Sequence, residues 1–114
     1  MTNFRSETLR RLAKDIPSCQ LCGAYNHGQV IGAHSNRLAD GKGRGLKAHD
    51  LVAYVCEACH AEIDGEGDRQ LRHNQFLQAY YNSTLWLLRE GHLQIHASSI
   101  FPLVDMAELG GPHP

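Results

Sequence analysis

The sequence has no long apolar run. Nothing in its 114 residues approaches the roughly 18 consecutive apolar residues that a membrane-spanning helix needs. No membrane-embedded function is therefore expected. The first residues, Met1-Thr2-Asn3-Phe4-Arg5, are polar and lack the apolar stretch of a secretory signal, so the expectation is a cytoplasmic protein. Aromatic residues are also scarce, at 7%, but hydrophobic residues reach 42%, which excludes a disordered chain. Internal repeats and low-complexity blocks are absent, so no solenoid is expected. What remains is one domain over residues 1–97 and a Pro/Gly-containing tail over 98–114.

Net charge is nearly absent too, at −1, but the charges are unevenly placed. Residues 1–47 carry eight Lys/Arg against Glu7, Asp15 and Asp40. Residues 48–114 carry three Lys/Arg against nine Asp/Glu. A basic half can meet phosphates, although solvated surface charge explains such an imbalance equally well.

Leu9, Leu12, Ala13 and Ile16 recur at helical spacing and predict a helix over residues 3–15, ended by Pro17. Residues 29–34 read as a strand and 51–55 as its return. Between them, Asp40-Gly41-Lys42-Gly43-Arg44-Gly45 reads as a mobile basic loop. Residues 57–64 read as a helix stopped by Gly65 and Gly67. Residues 68–89 form the longest predicted helix, with an imperfect stripe of Leu71, Gln75, Leu77, Tyr80, Leu85 and Leu88. Leu85-Trp86-Leu87-Leu88 cannot all face one core, so this helix can offer apolar surface to a partner or to a second copy in a homo-oligomer. A last short strand is expected over 92–97.

All four cysteines fall in two Cys-x-x-Cys pairs, Cys19/Cys22 and Cys56/Cys59. Four thiolates satisfy tetrahedral zinc and leave no position for water, which points to a structural ion. A two-residue spacer also lets the turn's amides face the sulfurs. Two disulfides, a redox pair or free buried thiols are the alternatives. A reducing compartment weighs against the disulfides.

The chemistry must then lie elsewhere. On a helix over 57–64, His60 and Asp64 are one turn apart on one face, about 100° from Cys59. They can hold a second divalent metal, while Glu62 faces solvent. His34 closes the first strand and can project into the same cleft, where a neutral imidazole can take a proton from water. Lys42, Arg44 and Lys47, with Arg37 before them, are candidate phosphate contacts. His27, His73, His92 and His96 have no useful spacing and are expected at the surface, with His113 in the tail.

Taken in order, Ala33-His34, the run Gly41-Lys42-Gly43-Arg44-Gly45-Leu46-Lys47-Ala48-His49-Asp50, and Cys56-x-x-Cys59-His60-x-x-Ile63-Asp64 resemble the HNH (ββα-metal) endonuclease superfamily. Within it, they look most like the small phage and prophage YbcO-like nucleases. The resemblance covers residues 17–65, with weaker likeness to about Gln94. It implies an α+β fold: a small zinc-stabilised ββα-metal domain with an N-terminal helix and a long C-terminal helix.

The resemblance also implies roles. His34 would be the general base, His60 the metal-binding histidine, Asp64 a second helix ligand, and Asp50 the counterpart of the family's middle Asn, which supports the base. His49 beside Asp50 and Asn36 near the base are further polar candidates. The sequence departs from the family where Ala33 replaces an acidic or histidine ligand. The implied activity is metal-dependent hydrolysis of DNA phosphodiesters, with magnesium or manganese as the catalytic ion and zinc as the structural one. The competing reading is a non-catalytic, zinc-stabilised nucleic-acid-binding module.

Overall fold

Ser6 begins the first helix by turning its hydroxyl to the amide of Leu9, 3.2 Å away. In the computed structural model, which describes residues 4–37, 42 and 49–94, helix α1 spans Glu7–Arg11 and tightens into a 3₁₀ turn over Leu12–Lys14. The expected stripe of Leu9, Leu12, Ala13 and Ile16 is its buried face. The helix starts later than the expected residue 3, for a tertiary reason. Phe4 accepts the Asp50 amide at 2.8 Å, and the Ser6 amide donates to Asp50 Oδ2 at 2.8 Å. Residues 4–6 are thus committed to a distant partner before any helix can form.

Strands β1 (Val30–Ala33) and β2 (Ala53–Cys56) pair antiparallel, with Val30 opposite Cys56 and Ala33 opposite Ala53. Each is shorter than, or shifted from, its expected range. The ladder ends at Ala33 because His34 turns its side chain to Asp50. Gly32 sits inside β1 because a Cβ there would lie 2.9 Å from a Val52 methyl. All of β2 is buried, and Tyr54 donates its hydroxyl proton to the Leu9 carbonyl. Burial pushes the Tyr54 phenol up to about 12.

Two strands cannot stand alone in water. The outer side of β2 is satisfied by other elements. The Tyr54 amide donates to Ser83 Oγ at 2.8 Å, and its carbonyl accepts the Gln20 amide at 2.9 Å. Helix α2 (Glu57–Ile63) follows β2 without a break, and Cys56 is its N-cap. Helix α3 (Arg69–Arg89) is capped by Asp68, whose carboxylate accepts the amides of Gln70 and Leu71.

The buried face of α3 is Phe76, Ala79, Ser83 and Leu87, and Leu71 and Leu77 of the expected stripe are exposed. Ala79 and Ser83 are the reason. Two small residues one turn apart let α3 approach β2 closely, and Ser83 also donates to the Ala79 carbonyl at 2.7 Å. The run after α3 shows no strand over 92–94, and residues 95–97 of that expected strand lie outside the described residues. The tail over 98–114 and most of the basic loop also lie outside them. Among the described residues, no helix is long and apolar enough to cross a membrane. The described residues form a small α+β unit of one two-stranded sheet and three helices.

Candidate metal centre and adjoining clefts

The Cys19–Cys22 turn is a small hairpin. Ser18 bridges to Tyr25, the Cys19 amide donates to the Ala24 carbonyl at 2.9 Å, and Gly23 takes a φ of +81° that suits glycine. The Leu21 and Cys22 amides both point at Cys19 Sγ, at 3.4 Å. Cys56 ends β2 and Cys59 sits in the first turn of α2. The four thiols are free, and their sulfurs lie within 4.8 Å of one another.

A tetrahedron with metal–sulfur bonds of about 2.3 Å has edges of about 3.8 Å. The Cys22–Cys56 edge is 3.9 Å. The cluster can hold one structural metal ion such as zinc. Burial works to raise the Cys19 thiol, but the amides of Cys22, Cys56 and Leu21 pull it down to about 7. Burial pushes the Cys59 thiol up. Crowded thiols of this kind are relieved when a metal displaces their protons.

His60 leaves α2 next to Cys59 but away from the sulfurs. Its Nε2 lies 2.9 Å from Asp64 Oδ2, so the two residues do share a helical face. That separation is the length of a direct hydrogen bond between the imidazole and the carboxylate. Asn36 Nδ2 donates to the other Asp64 oxygen at 2.6 Å, and Lys42 Nζ donates to Asn36 Oδ1 at 2.7 Å. Among the described residues, the four cysteines are the only group of three or more potential ligands. Ala33 is buried and adds none. Glu62 is half-exposed and pairs with Arg72 at 3.1 Å.

His34, just beyond β1, is held on the opposite flank of that strand's end. Its Nε2 lies 2.7 Å from Asp50 Oδ1. Asp50 is 1% exposed and accepts three further donors: the Ser6 amide at 2.8 Å, Arg10 Nε at 3.1 Å and Arg5 at 3.4 Å. Burial alone would raise its carboxyl. The His34 hydrogen bond, the Ser6 amide and the Arg10 charge outweigh it and hold the group below its ordinary value. Asp50 is therefore a carboxylate at neutral pH and accepts from His34 Nε2.

His34, Asp50, Arg5 and Arg10 line one cleft. Asn36, Arg37 and Asp64 line another, with the first turns of α3, so the single cleft expected for His34 and the His60–Asp64 pair is instead two, because Asp50 draws the His34 ring to its own side. His49 is half-buried near the Tyr80 ring, at 6.3 Å between centroids, and its Nδ1 is enclosed without a partner among the described residues. Arg44 and Lys47 lie outside the described residues.

Sequence spacing gives no sign of Arg5 and Arg10 at Asp50, which are 45 and 40 residues away along the chain. It also gives no sign of Arg69, Arg72 and His73 beside Asp64. His73 is half-buried against Phe76, contrary to its expected place among plain surface residues.

The Asp50 cluster predicts a stability signature. Asp50→Asn should cost about 3 kcal/mol at pH 7, because it unbalances a buried, multiply bonded carboxylate. A carboxyl lowered on folding contributes stability above its unfolded value of about 3.9, and that contribution is lost as pH falls through the folded value. The difference between parent and variant in urea denaturation should accordingly shrink as pH falls below the ordinary carboxylate range. A difference that persists undiminished there would contradict the assignment.

Comparison of the chain with protein families, with curated proteins and with solved structures finds no match.

Proposed function

We propose that the protein is a metal-dependent endonuclease of the HNH (ββα-metal) type that hydrolyses DNA phosphodiesters on a scaffold clamped by structural zinc. The observation that carries this reading is the convergence of His60 Nε2 and Asp64 Oδ2, 2.9 Å apart, on the helix that also supplies Cys59. An antiparallel strand pair leading directly into that helix supports the ββα reading. The four-cysteine cluster supports the clamp.

His34 Nδ1 accepts a proton from the attacking water, and the Asp50 carboxylate steadies the resulting imidazolium through Nε2–H. Asp50 cannot itself swing away, because the Ser6 amide and Arg10 hold its other oxygen. Asn36 orients Asp64 by taking up one carboxylate oxygen, which leaves the other directed at His60. His60 and Asp64 would hold a divalent cation, magnesium or manganese, that supplies positive charge for the scissile phosphate and the departing 3′-oxygen when bound. Lys42 and Arg37, with Arg44 and Lys47, supply phosphate contacts.

A non-catalytic nucleic-acid-binding module is the second reading. It is favoured by buried Ala33 and by the lack of a third described ligand beside His60 and Asp64. One set of measurements separates the two. Zinc-loaded protein should bind manganese weakly in a calorimetric titration, and His60→Ala should remove that binding. The parent should nick supercoiled plasmid only with added magnesium or manganese. DNA binding without nicking under any divalent metal would establish the module and end the nuclease reading.

A further inference from the structure

A cleft of about 510 Å³ lies between residues 36–37, the end of α2 and the first turns of α3. That volume falls within the range of small-molecule sites, roughly 300–1,000 Å³. Two cations reach it unspent. The guanidiniums of Arg37 and Arg69 are exposed and have no hydrogen-bond or ion-pair partner among the described residues. Arg72 is different. It is tied to Glu62 at 3.1 Å, to Gln75 at 3.2 Å and to the Glu66 carbonyl at 3.3 Å, so it stiffens the wall and is not available to a ligand.

The cleft also contains a flat ring. His73 lies nearly parallel to Phe76, at 16°, and Phe76 lies nearly parallel to Tyr80, at 20°. Half-buried His73 and buried Phe76 both line the cleft, so it carries an aromatic wall. Asp64 is the one acid in the lining, and its charge is already shared between His60 and Asn36. Cations and an aromatic face lining one cleft are the chemistry that recognises a phosphate and a base together. Such a ring can be reached only by a base that is not stacked inside a duplex.

We propose that this cleft holds one nucleotide of an unpaired DNA strand, with its phosphate on Arg37 and Arg69 and its base against the His73 ring. The proposal rests on the nuclease reading and narrows its substrate to DNA with a single-stranded segment, such as a flap, a gap or a branch. The strand then passes beside Asp64, next to the position assigned to the divalent ion.

Fluorescence anisotropy with a labelled DNA of about 12 nucleotides, within the span of a single-strand site, tests this, using the single strand, its duplex, thymidine monophosphate and inorganic phosphate on zinc-loaded protein. The parent should prefer the single strand to the duplex, and neither small phosphate should match the strand. Arg37→Ala/Arg69→Ala should flatten the dependence of log affinity on log salt by about 0.7, the value for one phosphate contact on a single strand. His73→Ala should weaken single-strand binding about tenfold and duplex binding far less, and His73→Tyr should restore it. Thermal melts of the double arginine variant should match the parent, since both guanidiniums are exposed and unspent.

Parent-like affinity and salt slope in the double variant would overturn the cleft assignment. Equal loss on both DNA forms in His73→Ala would overturn the base contact. Monophosphate binding as tight as the strand would overturn the polynucleotide assignment. A parent that nicks plasmid while these variants bind as it does would sink this inference and spare the nuclease reading. A parent that binds no DNA would remove both.

Discussion

Cys56→Ser should leave the chain largely unfolded at room temperature. Cys56 is at once the last residue of β2, the N-cap of α2 and one corner of the thiol cluster. With metal bound, the cluster ties the Cys19–Cys22 hairpin to the β2–α2 junction. Structural zinc contributes about 10–16 kcal/mol in small zinc-finger peptides. Whole domains are stable by only about 5–15 kcal/mol. A serine hydroxyl is a far poorer zinc ligand than a thiolate, so losing this corner should remove most of the net stability. The check is circular dichroism and urea denaturation beside elemental analysis, where the parent should carry close to one zinc per chain. A zinc-free parent, or a variant that melts within a few degrees of a zinc-loaded parent, would refute the structural role.

His34→Ala should do the reverse, sparing the fold and abolishing most of the cleavage. The His34 side chain is 15% exposed, at the end of a strand and outside the core cluster. Its removal still leaves Asp50 bonded to Ser6, Arg10 and Arg5. Binding of DNA should change little, because the proposed phosphate contacts lie elsewhere. Nicking should fall about a hundredfold or more, the scale for losing a general base. Melts, a binding titration and a nicking assay on the same preparations give the comparison. A variant that nicks at the parent rate would remove His34 as the base. His49 would then be the next candidate, as the other histidine in the motif beside Asp50.

The parts of the molecule legible in the sequence are those set by short-range geometry. Cys-x-x-Cys spacing anticipates the converged thiols, and a separation of four residues on a helix anticipates the His60–Asp64 pair. The apolar period of residues 9–16 anticipates the buried face of α1. The rest depends on contacts between residues far apart in sequence. Asp50 collects donors 16, 40, 44 and 45 residues away, and no local period encodes such a set. Helix α3 has apolar residues on several faces, so hydrophobicity alone cannot choose among them. The choice falls to Ala79 and Ser83, whose small size fits β2 and whose hydroxyl meets the Tyr54 amide. The Arg37–Arg69 cleft is invisible for the same reason, since its walls come from three separate segments.

The covered flank of β2 links metal occupancy to the fate of the protein in concentrated solution. A strand edge with free amides and carbonyls recruits other strands. Here the Gln20 amide blocks the Tyr54 carbonyl, and Gln20 is held in place by the cysteine hairpin on either side of it. A metal on Cys19 and Cys22 would in turn tie that hairpin to the β2–α2 junction. Without metal, that hairpin would loosen and uncover one side of an apolar strand, Ala53-Tyr54-Val55, of the kind that assembles into intermolecular sheet. Zinc supply during synthesis would then decide whether this chain accumulates as a dispersed fold or as aggregate.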